Sequence, residues 1–283
     1  MQILNLTNLE KSEIKYTISS FPDGEIQITL VEFSRKDEVG VVCRITSSDD
    51  LFLLMQVNDI LTRHGVDWSM RIVYLMGARM DRVMDFNRPY TLKIILDTLK
   101  GFSCEYISVL EPHSYKAMKL KDGFSGETNE GPFDPYLPEV YEDWTVVLPD
   151  NGAYERYGIE ASKHEVVVCE KTRDVTTGEL KGFKVTNPEV VLNSTKPLLI
   201  VDDLCDGGGT FCGIAAEIRK IKPDVDLNIS VTHMVNPRGI ENLSKNFNHV
   251  WFTNSYKDWN GFKAEFGKAV PILPENVTQI EVI

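Results

Sequence analysis

No stretch of 18 apolar residues occurs in this 283-residue chain, so a transmembrane helix is not expected. Cysteine is scarce and odd in number. Cys43, Cys104, Cys169, Cys205 and Cys212 include no C-x-x-C pair, which argues against a disulfide framework and against a zinc knuckle. Cys43, Cys104 and Cys169 lie in apolar runs and read as reduced core residues. Positive charge is in deficit, with 30 Lys and Arg against 42 Asp and Glu and a net charge of -12. That balance disfavours non-specific binding to nucleic acid or to anionic membranes, although a local basic patch could still hold an anionic metabolite. The opening residues MQILNLTNLE have neither a basic n-region nor a long apolar h-region, so no signal peptide is expected and the location read from the sequence is cytoplasmic. Two nucleotide fingerprints are also missing: G-x-x-x-x-G-K-[ST], and G-x-G-x-x-G at a strand end.

What is present describes an ordinary globular chain, 42% apolar and 25% charged, long enough for one large domain or two smaller ones. Strand-like runs fall at 39–45, 71–76, 105–110, 144–149, 165–170, 197–203, 227–234 and 249–254. Helical spacing appears over 51–63 through Leu51, Leu54, Met55 and Leu61. It recurs over 89–100 through Leu92, Ile95, Leu96 and Leu99, and over 210–221 through Ile214, Ala215, Ile218 and Ile221. Alternation of near-continuous apolar strands with helices predicts an α/β protein with parallel sheets covered on both faces. The alternation breaks over 114–142, a Gly-, Pro- and charge-rich stretch that reads as a loop or domain connection. This places a boundary near residue 133 and gives domains 1–133 and 134–283, the last 15 or so residues being candidates to pack back on the first domain. A second polar stretch, 171–190, follows a strand and carries Lys171, Arg173, Lys181 and Lys184. Such a loop at the carboxyl end of a parallel strand is a usual place for an active-site lid.

The most informative segment is LLIVDDLCDGGGT, residues 198–210. Its strand should end at the carboxyl edge of a sheet, where α/β proteins bind ligands. Gly207, Gly208 and Gly209 allow close backbone approach to an anion, and the helix starting near Thr210 turns its free N–H groups to the same spot. Asp202 and Asp203, with Asp206 beside them, would repel a bare phosphate. They suit vicinal hydroxyls, or phosphate through Mg²⁺. A sugar phosphate offers both parts.

These residues resemble the phosphoribosyl-pyrophosphate (PRPP) motif of type I phosphoribosyltransferase folds, found in transferases that consume PRPP and in ribose-phosphate pyrophosphokinases (PRPP synthetases), which make it. Further blocks, in family order, favour the synthetases: FPDGEIQI (21–28), YLMGARMDR (74–82), VLEPHSYK (109–116), VVLPDNGAYER (146–156), VCEKTRD (168–174), VTHMVNPRGIENL and FTNSY. The resemblance implies two type I phosphoribosyltransferase-like domains, each a mainly parallel sheet flanked by helices. The first would bind ATP and oligomerise, and the second would bind the ribose phosphate. It implies that the β,γ-diphosphate of ATP passes to the anomeric hydroxyl of ribose 5-phosphate with release of AMP, in the presence of Mg²⁺. By the same resemblance Phe21, Asp23 and Glu25 would recognise adenine from a neighbouring subunit. Arg79 would hold ATP with Asp81, Arg82, Asp85 and Arg88 nearby. His113 would meet ATP phosphates or Mg²⁺, Asp150 would serve the metal–ribose region, and Lys171 and Arg173 would be the catalytic cations. Asp202, Asp203, Asp206, Gly207, Gly208, Gly209 and Thr210 would hold the ribose phosphate. A homo-oligomer, dimer or hexamer, is implied, with neither nucleic acid nor membrane as partner.

The sequence departs from the family pattern at several points. Met80 stands where a Gln is usual, Glu111 where an Asp is usual, and Ala153 replaces a second glycine. Gly207 replaces a hydroxyl residue that helps hold the 5-phosphate. Losing that donor weakens the grip on a phosphate monoester, and losing the side chain opens room. Both changes fit a ribose whose 5-phosphate continues into a larger group, as in ADP-ribose. A phage-type relative that pyrophosphorylates ADP-ribose for NAD⁺ salvage is therefore an alternative reading. A non-catalytic PRPP-synthetase-associated regulator and a PRPP-consuming phosphoribosyltransferase are the competing classes. Retention of Lys171 and Arg173 argues against the first, and FPDGE and KTR argue against the second.

Overall fold

In the computed structural model, residues 1–114, 124–127, 134, 138–161, 163–173, 180–260 and 273–283 are described. The chain forms two compact units, Met1–Glu127 with Ile283, and Thr128–Val282. Among the described residues no helix is long and apolar enough to cross a membrane.

The first unit is built on a five-stranded parallel sheet in the order β1-β4-β5-β6-β7. Its strands are β1 (Gln2–Asn5), β4 (Val39–Ile45), β5 (Trp68–Leu75), β6 (Tyr106–Leu110) and β7 (Phe124–Glu127). Between β1 and β4 the chain makes an antiparallel hairpin of β2 (Tyr16–Ser20) and β3 (Ile26–Leu30). Strand β4 is VGVVCRI, with Val39, Val41, Cys43 and Ile45 on one face at 0–1% exposure and Val42 and Arg44 on the other half-buried, so one face is the more deeply covered. Helix α1 (Ser48–Arg63) starts at a reciprocal cap, the Ser47 hydroxyl accepting from the Asp50 N–H while the Asp50 carboxylate accepts from the Ser47 N–H, which satisfies two otherwise open donors. Its buried stripe is Leu54, Val57 and Leu61, whereas Met55 points outward at 45% exposure, a correction to the spacing read from the sequence. Helix α2 (Thr91–Lys100) buries Leu92, Ile95, Leu96 and Leu99 as expected.

The second unit carries a seven-stranded sheet in the order β10-β9-β8-β11-β12-β13-β14. The strands are β8 (Thr145–Leu148), β9 (Val167–Arg173), β10 (Leu180–Val185), β11 (Leu198–Cys205), β12 (Leu227–Met234), β13 (Val250–Thr253) and β14 (Val277–Ile280). Only β10 runs antiparallel, against β9. The helices are α3 (Pro138–Asp143), α4 (Asn151–Ala161), α5 (Pro188–Asn193), α6 (Gly209–Ile221) and α7 (Pro237–Asn246). Alternation along the strands makes two cores. Val147, Leu198 and Ile200 pack with Phe211, Ile214 and Leu243 of α6 and α7 on one face. Val146, Leu148, Leu199 and Val201 pack with Val140, Tyr141, Ala153 and Tyr157 of α3 and α4 on the other. Both parallel sheets are thus mainly parallel and helix-covered.

Two stretches read as loop hold regular structure. Strand β7 and helix α3 fall inside the stretch 114–142. Strand β10 falls inside the polar stretch 171–190, paired with β9. In the tail, strand β14 pairs with β13 at the edge of the second sheet, and the last residue, Ile283, groups with the first unit.

Candidate active site

The turn after β11 is shaped by glycine where only glycine fits. Gly208 has φ +76 and forms the N-cap of α6; a Cβ there would meet Leu243 at 3.2 Å. The turn is held from α7: Asn236 Nδ2 donates to Asp206 Oδ1 at 2.9 Å, and Asn242 Nδ2 donates to the Gly207 carbonyl at 2.8 Å. Gly239 of α7 lies so close that a Cβ would sit 2.3 Å from the Asp206 carbonyl. By contrast, a Cβ at Gly207 or Gly209 would meet nothing within 4 Å. The loop is therefore fixed from behind and open in front, with Thr210 half-buried in the first turn of α6.

The two acids before the turn point to different places. Asp203 continues the Leu199–Val201 face of β11, the face covered by α4, and its side chain is 2% exposed. There its Oδ1 makes a close ion pair with the guanidinium of Arg156, itself 7% exposed. Asp202 is 16% exposed, and its Oδ1 lies 3.7 Å from Arg156 while accepting the Asp203 N–H at 2.9 Å. Burial and the adjacent Asp203 carboxylate push the Asp202 carboxyl well above the usual carboxylate range. Burial works against the Arg156 charge, but Tyr157 and Asp203 outweigh it, so the guanidinium is held charged.

Asp150 and Lys171 come together. Asp150 caps α4: its Oδ1 accepts from the Gly152 and Ala153 amides at 2.9 and 3.1 Å. Its Oδ2 accepts from Lys171 Nζ at 2.6 Å. Burial opposes this charge, but Lys171 and the amides prevail and keep the carboxyl below its usual range. Lys171 stands on β9 opposite Phe183 of β10, and Arg173 is the last residue of β9. The residues between Arg173 and Leu180, in the stretch read as a lid, lie outside the described residues, as does VLEPHSYK beyond Ser114.

The residues expected to hold ATP belong to the first unit and are mostly exposed. Phe21 is 50% exposed at the tip of the β2–β3 hairpin, a turn closed by the Phe21 amide on the Glu25 carbonyl at 2.8 Å. Asp23 and Glu25 are exposed there as well. Arg79, Asp85 and His113 are exposed. Asp81 accepts from the Ser114 hydroxyl at 3.0 Å, so the Arg79 loop and the His113 loop meet. Glu111 is buried at φ 38, a left-handed conformation costing about 1–2 kcal/mol for a non-glycine residue that turns the chain toward His113.

Among the described residues no group of three His, Cys, Asp or Glu could hold a metal ion. Mg²⁺ usually takes only one or two protein carboxylates and completes its shell with phosphates and water. Asp150 Oδ2, a hard oxygen at the site's edge, fits that role once Lys171 leaves it. An imidazole such as His113 suits Mg²⁺ less well than a carboxylate does.

Arg156 closes the VVLPDNGAYER block, and the sequence alone assigns it no role. The signal available was its position six residues after Asp150, nearly two turns along one helix.

No family model matches the chain. The ribose-phosphate pyrophosphokinase of Sulfolobus acidocaldarius is 29% identical over 211 residues, covering 70% of this chain and 69% of that protein. The one of Thermococcus kodakarensis is 27% identical over 264 residues, covering 88% of this chain and 89% of that protein. The crystal structure of phosphoribosylpyrophosphate synthetase from Mycobacterium smegmatis superposes with a TM-score of 0.73 at 19% identity, covering 100% of this chain and 95% of the other. At that identity the structural likeness establishes the fold.

Proposed function

We propose, on the likeness to the ribose-phosphate pyrophosphokinases, that the chain moves the β,γ-diphosphate of ATP to the anomeric hydroxyl of a ribose 5-phosphate moiety. The observation that carries this reading is the presence, within one unit, of an open glycine turn, a partly exposed Asp202 and a lysine paired with Asp150. In the reaction the anomeric oxygen attacks the β-phosphorus. The bond from that phosphorus to the oxygen bridging the α-phosphate breaks, AMP leaves, and the hydroxyl proton passes to solvent. The glycine turn and the first amides of α6 receive the 5-phosphate. Asp202 receives ribose hydroxyls. Lys171, released from Asp150, supplies positive charge to the equatorial phosphoryl oxygens, with Arg173 as its neighbour in this role. Asp150, together with the ATP phosphates, would hold Mg²⁺, which would supply further neutralisation of the polyphosphate. Phe21, Asp23, Glu25, Arg79, Asp81, Asp85 and His113 form the proposed ATP contacts of the first unit. Domains 1–133 and 134–283 correspond to the ATP-binding and ribose-phosphate-binding tasks, in a cytoplasmic homo-oligomer.

The acceptor has two readings. Ribose 5-phosphate, giving PRPP, follows from the family. ADP-ribose, giving ADP-ribose pyrophosphate for NAD⁺ salvage, is favoured by the empty space around Gly207, which removes a phosphate donor and admits a continuing group. Purified protein incubated with Mg²⁺-ATP and each acceptor, with AMP and the new diphosphate followed by mass spectrometry, decides between them. No AMP with either acceptor overturns the reading and leaves the regulator. Consumption of PRPP without ATP leaves the transferase.

A further inference from the structure

The doublet Asp202–Asp203 lies at the end of one strand, yet its two carboxylates are in different environments. Asp203 is almost fully buried and ion-paired with Arg156, while Asp202 keeps the exposure of the pair. The division follows from strand geometry, since consecutive residues of β11 face opposite sides and α4 covers only the Asp203 side. We propose that the acids have separate tasks: Asp202 is the carboxylate that meets the acceptor's hydroxyls, and Arg156, acting through Asp203, is the positioning residue that aims it. This inference rests on the functional reading above and deepens it.

Three contacts support it. The Asp203 amide donates to Asp202 Oδ1 at 2.9 Å, so the orientation of Asp203 fixes that of its neighbour's carboxylate. Arg156 lies 3.7 Å from the same Oδ1, giving that oxygen a cation behind it and leaving Oδ2 for the ligand. Arg156 belongs to α4, whose cap residue Asp150 pairs with Lys171. The helix is thus a strut with Lys171's resting partner at one end and the anchor of Asp202 nearly two turns away. A displacement of α4 would move both, which keeps the charge that meets the diphosphate in register with the group that meets the ribose.

A double-mutant cycle tests the assignment, with acceptor kcat/KM, ATP KM and melting temperature measured for each variant using the acceptor that the wild-type enzyme accepts. Asp202→Asn is expected to raise acceptor KM by about 10- to 100-fold, the worth of a charge-assisted hydrogen bond. Arg156→Met is expected to lower acceptor kcat/KM by up to about 10²-fold, the effect of a displaced group, with ATP KM unchanged and partial recovery in Arg156→Lys. Asp203→Leu and the Arg156→Met/Asp203→Leu double variant are expected to lose the same amount, because two residues acting in series are not additive. The double variant also removes both charges together, which keeps it foldable where a single unpaired charge does not. If Arg156→Met or Asp203→Leu fails to fold, Arg156→Lys, Asp203→Asn and their combination run the same cycle. Additive losses overturn the proposal by making Asp203 an independent substrate contact. A double variant with wild-type acceptor kcat/KM overturns it by making the pair a packing feature. Wild-type protein that releases no AMP with either acceptor overturns the functional reading, and this one with it.

Discussion

The residues proposed for ATP and those proposed for the ribose phosphate are prepared to different degrees. In the second unit the glycine turn is braced by Asn236 and Asn242, Asp203 is locked to Arg156, and Lys171 rests on Asp150. In the first unit Phe21, Asp23, Glu25, Arg79 and His113 stand exposed on a hairpin tip and on loops. Buried polar groups must be satisfied within the protein and so arrive with fixed geometry. Exposed side chains on a hairpin tip or loop are held by fewer neighbours and lose more rotamer freedom when engaged. The proposed acceptor side is therefore the more preorganised of the two. Changes in the second unit should alter both stability and turnover. Changes at the hairpin should alter ATP affinity alone.

That contrast is open to direct attack. Lys171→Ala should cut AMP release by about 10²- to 10³-fold, the loss typical of one preorganised electrostatic contact, with the fold retained by circular dichroism. Loss of less than tenfold would remove Lys171 from the chemistry. Gly239→Ala forces a methyl against the Asp206 carbonyl and should cost about 1–3 kcal/mol, as overpacking does, read as a lowered denaturant midpoint together with weaker acceptor binding. A smaller effect comes from Asp202. Because its pKa is raised in the folded state, the stability linked to it is fully present below the unfolded-state value of about 4 and is lost as pH rises through the folded value. Asp202→Asn should therefore melt at a higher temperature than wild type at neutral pH, with the gain vanishing in acid. Asp150 has the opposite sign. Its pKa is lowered, so its contribution is present above about pH 4 and disappears as pH falls through the folded value. Asp150→Asn should lessen the acid sensitivity of the melting curve. The smallest stability effect is expected at the hairpin: Phe21→Ala should change unfolding free energy by no more than about 0.5 kcal/mol while raising ATP KM. A large stability loss there would erase the distinction between the two units.

Much of this was legible before any coordinates, for identifiable reasons. Strands β4 and β12 match the predicted ranges because buried parallel strands are written as unbroken apolar runs. The glycine turn was legible because three consecutive glycines between an acid and a helix have few other uses. Strands β7 and β10 were not, since FSGE and LKGFKV are short and broken by glycine and charge. Helix α4 was also missed: NGAYERYGIEA contains two glycines and a weak apolar stripe, and its stability comes from packing Ala153 and Tyr157 on the sheet. Arg156 was illegible because a buried arginine and a surface one are spelled alike. Only the fold brings Asp203 to it. Met55 falls off the buried face because the stripe of α1 runs through Leu54, Val57 and Leu61, spaced three and four residues apart.

The pairing of β9 with β10 has one more implication. Leu180 is registered opposite Arg173, and Phe183 opposite Lys171. The Phe183 ring fills the space over Gly213 of α6, where a Cβ would lie 2.2 Å from it. Lys171 therefore belongs to a strand whose partner is wedged against α6, so a side chain added at Gly213 would push on Phe183, the residue registered opposite the lysine.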